Sequence, residues 1–349
     1  MTDFKKIFKR ADIQKLIALI FILGILYIIR DLISIVLLTT IFSYLAVKSA
    51  RKINRWTKIP YGFSVLIFFT VSIVIFVTAF MYIVPTLVNQ FAIIPDEVMK
   101  FMKNFPDVKK YLNDTYQNLD LLNEVTKNWR TLLESGWDTL NVIGSVLSKV
   151  LLSIFLSFIF AISWQRLRIF GTQFANSNYP KFFINVYELT STFVLILGSI
   201  IEVQMTIAFI NTVLMVIGLS LLKVPSILVM ALLIFILGLI PIAGVLISLI
   251  PLSVISFAAL GWTGMIEVWI LIAIIHLFES YFLHPRLMAT RTELPIFLTF
   301  ATIIVMEHLL GAWGLIIGVP IVAFILSILG VQDASISKHS SQVNATETK

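Results

Sequence analysis

The sequence predicts an all-α integral membrane protein with about eight membrane helical segments. Three observations support this fold class. The chain is 59% hydrophobic and only 13% charged, whereas soluble domains average roughly 45–50% and 25%. Its apolar residues fall in runs of about 20, the length that spans a bilayer. Two of these runs are broken by proline and glycine, and membrane helices tolerate such breaks only where protein or a water-filled cavity covers the irregular backbone.

Residues 1–84 are predicted to form three membrane spans, with the N-terminus in the cytoplasm. Lys5-Lys6 and Lys9-Arg10 precede an apolar run that looks like a signal peptide. No small-residue cleavage site follows, so we expect the run to be retained as a span. Arg30-Asp31 would form the tip of a hairpin with the second span. The loop 48–58 is basic and contains no acidic residue, which predicts that it is cytoplasmic.

The middle of the chain contains a polar segment, residues 85–148, followed by a second segment, residues 149–201, that begins with an apolar run. Residues 85–148 mix acidic, basic and aromatic side chains with helical apolar stripes, and are predicted to form a water-facing helical module at the outer face. Residues 149–201 are predicted to hold the fourth span, from about 150 to 163, and then an amphipathic helix on the inner surface. The alternative for this second part is one long tilted helix that continues into the fifth span.

The first broken run, residues 225–260, is too long for one membrane helix and too short for two full ones. We therefore predict a hairpin with its tip near Pro241 and Gly244 and with Pro251 in its second arm. Because a hairpin returns the chain to the face it left, the next span would run inward and place Arg286 in the cytoplasm.

The second broken run, residues 295–329, has the same form, with a break around Gly311 and Gly314 and with Pro320 beyond it. Residues 202–330 would then contain a span and a broken hairpin twice, in opposite orientation. That is the organisation of inverted-repeat transporters, whose solute sites lie near the bilayer midplane. The alternative is two independent kinked helices. A polar cytoplasmic tail, residues 331–349, follows.

Polar side chains inside the apolar segments are candidates for function, because an ionisable group there commonly costs about 2.5–3.5 kcal/mol. The candidates are Gln204 and Asn211 on the fifth span, His276 and Glu279 on the next span, and Glu307 beside the second break. His276 and Glu279 share one face of a helix, and a carboxylate next to an imidazole can exchange protons near neutral pH. The alternative is that these residues only pack or reach the membrane interface.

Several chemistries have no signal in this sequence. There is no cysteine, no phosphate-binding loop, no zinc-protease motif, no nucleophile elbow and no dinucleotide fingerprint. We therefore predict no enzymatic activity, no cofactor and no metal site. The net charge of +7 lies largely beside membrane segments, so nucleic acid is not an expected partner. Active transport by such a chain would draw on an ion gradient or on a separate partner.

Motifs in the second half of the chain resemble those of the autoinducer-2 exporter family of bacterial membrane transporters. They are Gly238-x-x-Pro241-x-x-Gly244 with Pro251, Pro285-Arg286, Leu294-Pro295, and Gly311-x-x-Gly314 with Val319-Pro320. Gln204 and the order of three spans, outer module and core are also similar to that family. The resemblance implies an exporter of a small signalling molecule or, as in some members, a sodium/proton antiporter. It also implies a homo-oligomer, with a pentamer as one candidate.

The resulting hypothesis is a multi-pass transporter of the bacterial inner membrane, with both termini cytoplasmic and a small solute coupled to H+ or Na+. Gln204 and Asn211 would contact the solute between the broken hairpins, and His276, Glu279 and Glu307 would carry the coupling ion. The helix ends at Pro241, Gly244, Gly311 and Gly314 would offer backbone groups to the solute. Gating or structural roles are expected for Pro251, Arg286 and Pro320. The leading alternative is a sodium/proton antiporter. A hypothesis of another class is an envelope scaffold that binds a partner protein through residues 85–148.

Overall fold

The computed structural model describes residues 11–78, 80–82, 136–225, 227–241, 243–283, 286–287 and 294–331. These residues are almost entirely helical and include no strand, which confirms the all-α class. Five of their helices are long and apolar enough to cross a membrane, and four shorter apolar helices accompany them. The expected outer module lies outside the described residues except for 136–148, which are helical. Residues 332–349 of the expected tail also lie outside them.

Ten helices carry the described part of the chain, and a 3-10 turn at Arg30–Leu32 joins the first two, where the sequence predicts a hairpin tip. The helices are α1 (Ala11–Ile28), α2 (Ile33–Thr57), α3 (Tyr61–Tyr82), α4 (Gly136–Ile162), α5 (Trp164–Gln173), α6 (Pro180–Leu221), α7 (Ile227–Leu237), α8 (Ala243–Phe278), α9 (Ile296–Leu310) and α10 (Ala312–Ile328).

The chain divides into two compact units. Among the described residues, the first unit contains those within 11–73, 149–206 and 283–331, and the second contains those within 74–82, 136–148 and 207–282. Each unit has its own buried apolar clusters. In the second unit, one cluster joins the end of α6 to α7 and α8.

In the first unit, α2 and α4 pack closely and run in the same direction. Ser153 donates a hydrogen bond of 3.3 Å to the carbonyl of Ile35, and one turn later Ser157 donates one of 3.0 Å to the carbonyl of Thr39. Small residues keep these helices and α3 close together, as is common between membrane helices. Those that are fully buried here are Ala46, Ala50, Ser64, Ser153, Ser157 and Ala161.

The basic segment that the sequence predicts as a loop is helical almost to its end. Helix α2 continues to Thr57 and stops at Lys58, which has a left-handed backbone conformation with φ 59°. The connection to α3 is therefore shorter than predicted. Basic side chains near a helix C-terminus interact favourably with its dipole, which helps to explain why the helix persists.

The predicted separate helix on the inner surface is wrong. Residues 180–221 form one continuous helix of 42 residues, α6, with a length of about 63 Å. No proline occurs between Pro180 and Pro225, so nothing in this segment removes a backbone donor. Gly198 does not break the helix, and the ring of Tyr44 covers the face that this glycine leaves open.

The second broken run is a tight antiparallel hairpin of α9 and α10, and Gly311 is its turn. A Cβ on Gly314 would overlap the carbonyl group of Met306, and a Cβ on Gly318 would lie 3.4 Å from the Thr302 side chain. The later residue on α10 therefore contacts the earlier residue on α9, which shows that the two helices are antiparallel. The arms contain 15 and 17 residues, about 22 and 26 Å, which is less than the roughly 30 Å of a bilayer core.

The first broken run is also a hairpin. One arm of this hairpin is α7, and the other is residues 243–260, which form the first arm of α8. The turn lies between residues 237 and 243. The chain then reverses again at Gly261, whose φ of 69° and ψ of −157° interrupt α8. Trp269 Nε1 donates a hydrogen bond of 2.6 Å to Ser253 Oγ, although these residues would lie about 24 Å apart along a straight helix. Residues 262–278 therefore form a separate second arm of α8.

Candidate functional site

A buried polar cluster in the second unit joins α6 to the end of α8. Nδ2 of Asn211 donates a hydrogen bond of 2.7 Å to Oε2 of Glu279, and Nδ1 of His276 lies 3.5 Å from the same oxygen. Asn211 is 8% exposed and Glu279 is 5% exposed. The pair of His276 and Glu279 that the sequence predicts is therefore joined by Asn211, a candidate from a different helix.

The packing of two helices places these side chains. Helix α6 and the second arm of α8 are antiparallel, because Gly218 packs on Leu271 while Asn211, about two turns earlier in α6, meets Glu279, about two turns later in the chain. Gly218 permits this approach, since a Cβ there would lie 2.5 Å from the Leu271 side chain. Glu279 begins a π-helical turn, Glu279–Leu283, and such turns often occur at functional sites.

Two polar atoms of the cluster, Oδ1 of Asn211 and Nδ1 of His276, have no hydrogen-bond partner among the described residues. An ionised carboxylate only accepts hydrogen bonds, so the amide NH2 of Asn211 must face Glu279 and its Oδ1 must point away. Oδ1 is buried and has no hydrogen-bond partner among the described residues. His276 Nδ1 is also buried without one, because its 3.5 Å contact with the carboxylate is too long for a good hydrogen bond. The cluster therefore combines a carboxylate, an unused acceptor and an imidazole nitrogen.

The cluster presents oxygen and nitrogen atoms of the kind that bind small cations. A charged carboxylate inside an apolar helix bundle is costly unless hydrogen-bond donors or a cation accompany it. The unused Oδ1 of Asn211 is an additional oxygen ligand beside Glu279. The described residues contain no group of three His, Cys, Asp or Glu side chains that could hold a metal ion.

In the first unit, Gln204 is 2% exposed on α6. Two residues earlier, Glu202 forms an ion pair with Lys48 of α2, and Lys48 also lies 5.6 Å above the ring of Tyr44. The basic pattern of residues 48–58 predicts a loop for Lys48 and gives no sign of this pair. The available signal was that Glu202 requires a partner within an otherwise apolar segment.

Glu307 contributes to the second hairpin through its backbone. Its carbonyl accepts a hydrogen bond of 2.7 Å from the N–H of Gly311, whereas its side chain is exposed. The turn itself needs Gly311, whose φ of 60° and ψ of −144° lie close to a region that is essentially restricted to glycine. Gly314 and buried Pro320 lie on α10.

Four other residues that the sequence singles out lie in the first hairpin or beyond the π-helical turn. Gly244 follows the turn of the first hairpin, where a Cβ would overlap the carbonyl of Leu237. Pro241 is buried in that turn, and Pro251 is buried within the first arm of α8. Arg286 is exposed in a short helical segment beyond the π-helical turn.

Two comparisons with known proteins cover nearly the whole chain. The model of a family described as AI-2E family transporter matches residues 16–332. The chain is also 30% identical over 345 residues to a protein of Bacillus subtilis (strain 168) named "Putative transport protein YdbI", and this similarity covers 95% of each chain.

Proposed function

We propose, given that this chain belongs to the AI-2E family of membrane transporters, that it exports a small solute such as an autoinducer-2-like signalling molecule in exchange for H+ or Na+. The cluster of Asn211, His276 and Glu279 would bind the coupling ion. The observation that carries this proposal is the 2.7 Å hydrogen bond from Asn211 to the buried carboxylate of Glu279.

The argument for Glu279 is energetic. A helix buries a carboxylate among apolar side chains at a cost of about 2.5–3.5 kcal/mol on insertion scales. The Asn211 amide and the His276 imidazole place polar groups beside this carboxylate, and a bound cation would neutralise its charge. A site of this kind binds its ion in one state of the transport cycle and releases it in another, which is what coupling requires.

The test is solute flux in liposomes that contain the purified protein, with an imposed proton or sodium gradient and a panel of small polar solutes. Glu279→Gln keeps the shape of the side chain and removes its charge, so we expect coupled flux to be lost. Glu267→Gln is the matched control, because Glu267 is exposed on the second arm of α8, which leads into the π-helical turn that begins at Glu279. Equal flux in the two variants would remove Glu279 from the mechanism.

A sodium/proton antiporter is the second candidate, and the unused Oδ1 of Asn211 beside the carboxylate favours it, because oxygen ligands suit hard cations. The same liposomes separate the two functions. Sodium added without any organic solute should collapse a pH gradient if the protein is an antiporter, and should leave it unchanged if flux requires the solute.

Two further residues complete the proposed pathway. Gln204 is proposed to contact the polar solute through its buried amide. Glu307 stays a proposed carrier of the coupling ion, and Glu307→Gln in the same assay tests it. If that variant keeps its coupled flux while Glu279→Gln loses it, the coupling site consists of the buried cluster alone.

The proposed location is the bacterial inner membrane, with both termini in the cytoplasm. Support comes from the basic side chains on the last turns of α2, since cytoplasmic segments beside membrane spans are rich in Lys and Arg. We also propose a homo-oligomer, with a pentamer as one candidate. Cross-linking in native membranes would test the assembly, and labelling of a cysteine placed in either terminus would test the orientation.

A further inference from the structure

A basic surface lies where α2 ends in the first unit. Lys52, Arg55 and Lys58 are exposed at the end of α2, and Arg166 is exposed on α5. No acidic residue occurs between residues 32 and 95 or between residues 139 and 187. The acidic side chain that reaches α2 from α6 is Glu202, and it pairs with Lys48, one turn before this surface.

The tertiary structure joins the two basic segments, which are more than 100 residues apart in the sequence. The guanidinium group of Arg51 lies 5.7 Å above the ring of Trp164, the first residue of α5. Tyr61, at the start of α3, donates a hydrogen bond of 3.0 Å to the carbonyl of Ala161 near the end of α4. The ends of three apolar helices and the basic residues of α5 therefore share one region.

The position of this surface identifies its partner. Each of the three helices that meet here is long and apolar enough to cross a membrane, so the basic residues lie where those helices leave the hydrocarbon. Trp56 is 78% exposed beside Lys52, and tryptophan is enriched at the headgroup level. We infer that Lys52, Arg55, Lys58 and Arg166 bind the headgroups of anionic phospholipids and select them over zwitterionic lipids of the same bilayer.

The expected selectivity follows from the charge. A Lys or Arg near an anionic membrane surface contributes roughly a 5-fold preference for anionic over zwitterionic lipid. The three basic residues of α2, Lys52, Arg55 and Lys58, should therefore together contribute on the order of 100-fold. This contribution should fall as the salt concentration rises, because exposed charges are screened.

The experiment uses the whole protein in vesicles of equal phosphatidylglycerol and phosphatidylcholine, with the retained lipids counted by native mass spectrometry. The triple variant Lys52→Gln, Arg55→Gln, Lys58→Gln should lose its preference for phosphatidylglycerol on the order of 100-fold. The matched control removes the same charge elsewhere, through three exposed residues, Arg30→Gln, Lys149→Gln and Lys223→Gln. Each set includes one lysine with positive φ, Lys58 or Lys223, so backbone strain is matched.

Two results would overturn the inference. One is an equal loss of preference in both triple variants, which would show that only the net charge matters. The other is displacement of phosphatidylglycerol by millimolar inorganic phosphate, which would show a site for a free anion instead of a lipid headgroup. Retention in the presence of phosphate, together with a loss confined to the α2 variant, supports the lipid surface.

Discussion

Replacing Gly314 by alanine is expected to force apart the two arms of the second hairpin. The new Cβ would overlap the carbonyl group of Met306 and lie 2.7 Å from the backbone nitrogen of Glu307. Both obstacles are backbone atoms, so no side-chain rotation can relieve the contact. To reach an ordinary separation of about 3.5 Å, α9 and α10 must move apart by about 1.7 Å.

The cost can be estimated from the packing. Overpacking a well-packed interior costs about 1–3 kcal/mol, and the upper end applies because the helices must move as bodies. Gly318 also packs closely on α9, since a Cβ there would lie 2.9 Å from the Cβ of Met306. Separating the helices at Gly314 would therefore also separate Gly318 from Met306. We therefore expect a loss of about 3 kcal/mol in the stability of the hairpin.

The absence of cysteine permits a direct assay. Thr302→Cys and Gly318→Cys are introduced together, at positions where the Thr302 side chain approaches the site of a Cβ on residue 318 to 3.4 Å. A disulfide requires Cβ atoms about 3.5–4.5 Å apart. The atom 3.4 Å from the site of this Cβ is Cγ2 of Thr302, so the pair should cross-link once Met306, whose Cβ lies 2.9 Å from the same site, has shifted. Adding Gly314→Ala should slow the cross-linking severalfold, whereas the control Gly24→Ala, whose Cβ meets no atom within 4 Å, should not.

The reasoning is refuted in either of two ways. If the cysteine pair does not cross-link in the parent protein, α9 and α10 are not an antiparallel hairpin, since a straight helix would place these residues about 24 Å apart. If the pair cross-links equally fast with and without Gly314→Ala, the arms are not in close contact at this glycine.

Three further predictions concern the turn, the second reversal and the polar cluster. Gly311→Ala should destabilise the protein by about 1–3 kcal/mol through backbone strain alone, as measured by thermal unfolding in detergent against Gly24→Ala, and equal melting temperatures would contradict this. Trp269→Phe should cost about 0.5–1.5 kcal/mol by removing the hydrogen bond to Ser253, and Ser253→Ala should then add little in a double-mutant cycle. Asn211→Leu removes the amide donor from the buried carboxylate and should reduce coupled flux in liposomes about 10- to 100-fold; undiminished flux would show that the donor is dispensable.

Local patterns predicted much of the fold. The apolar runs, the Arg30-Asp31 turn and the two broken segments all follow from composition or from glycine and proline, whose effects on the backbone are local. The separate helix before the fifth span was wrong because polarity suggested a boundary that no helix-breaking residue supports. The reversal between the first hairpin and the next span was predicted from the charge pattern, and the structure places it at Gly261; the sequence did not indicate which residue forms it, since a single glycine within an apolar run has no distinctive local signal.

The sequence by itself determined that this chain is a multi-pass membrane protein with interrupted helices and a few candidate polar residues. It determined these properties because the cost of burying charge and the conformational limits of glycine and proline depend on residue type alone. Only the tertiary structure decided which candidates meet. Asn211 and Glu279 are 68 residues apart, and Lys48 and Glu202 are 154 residues apart. Such meetings depend on how helices pack and where glycines allow close approach, and no local pattern in the chain records them.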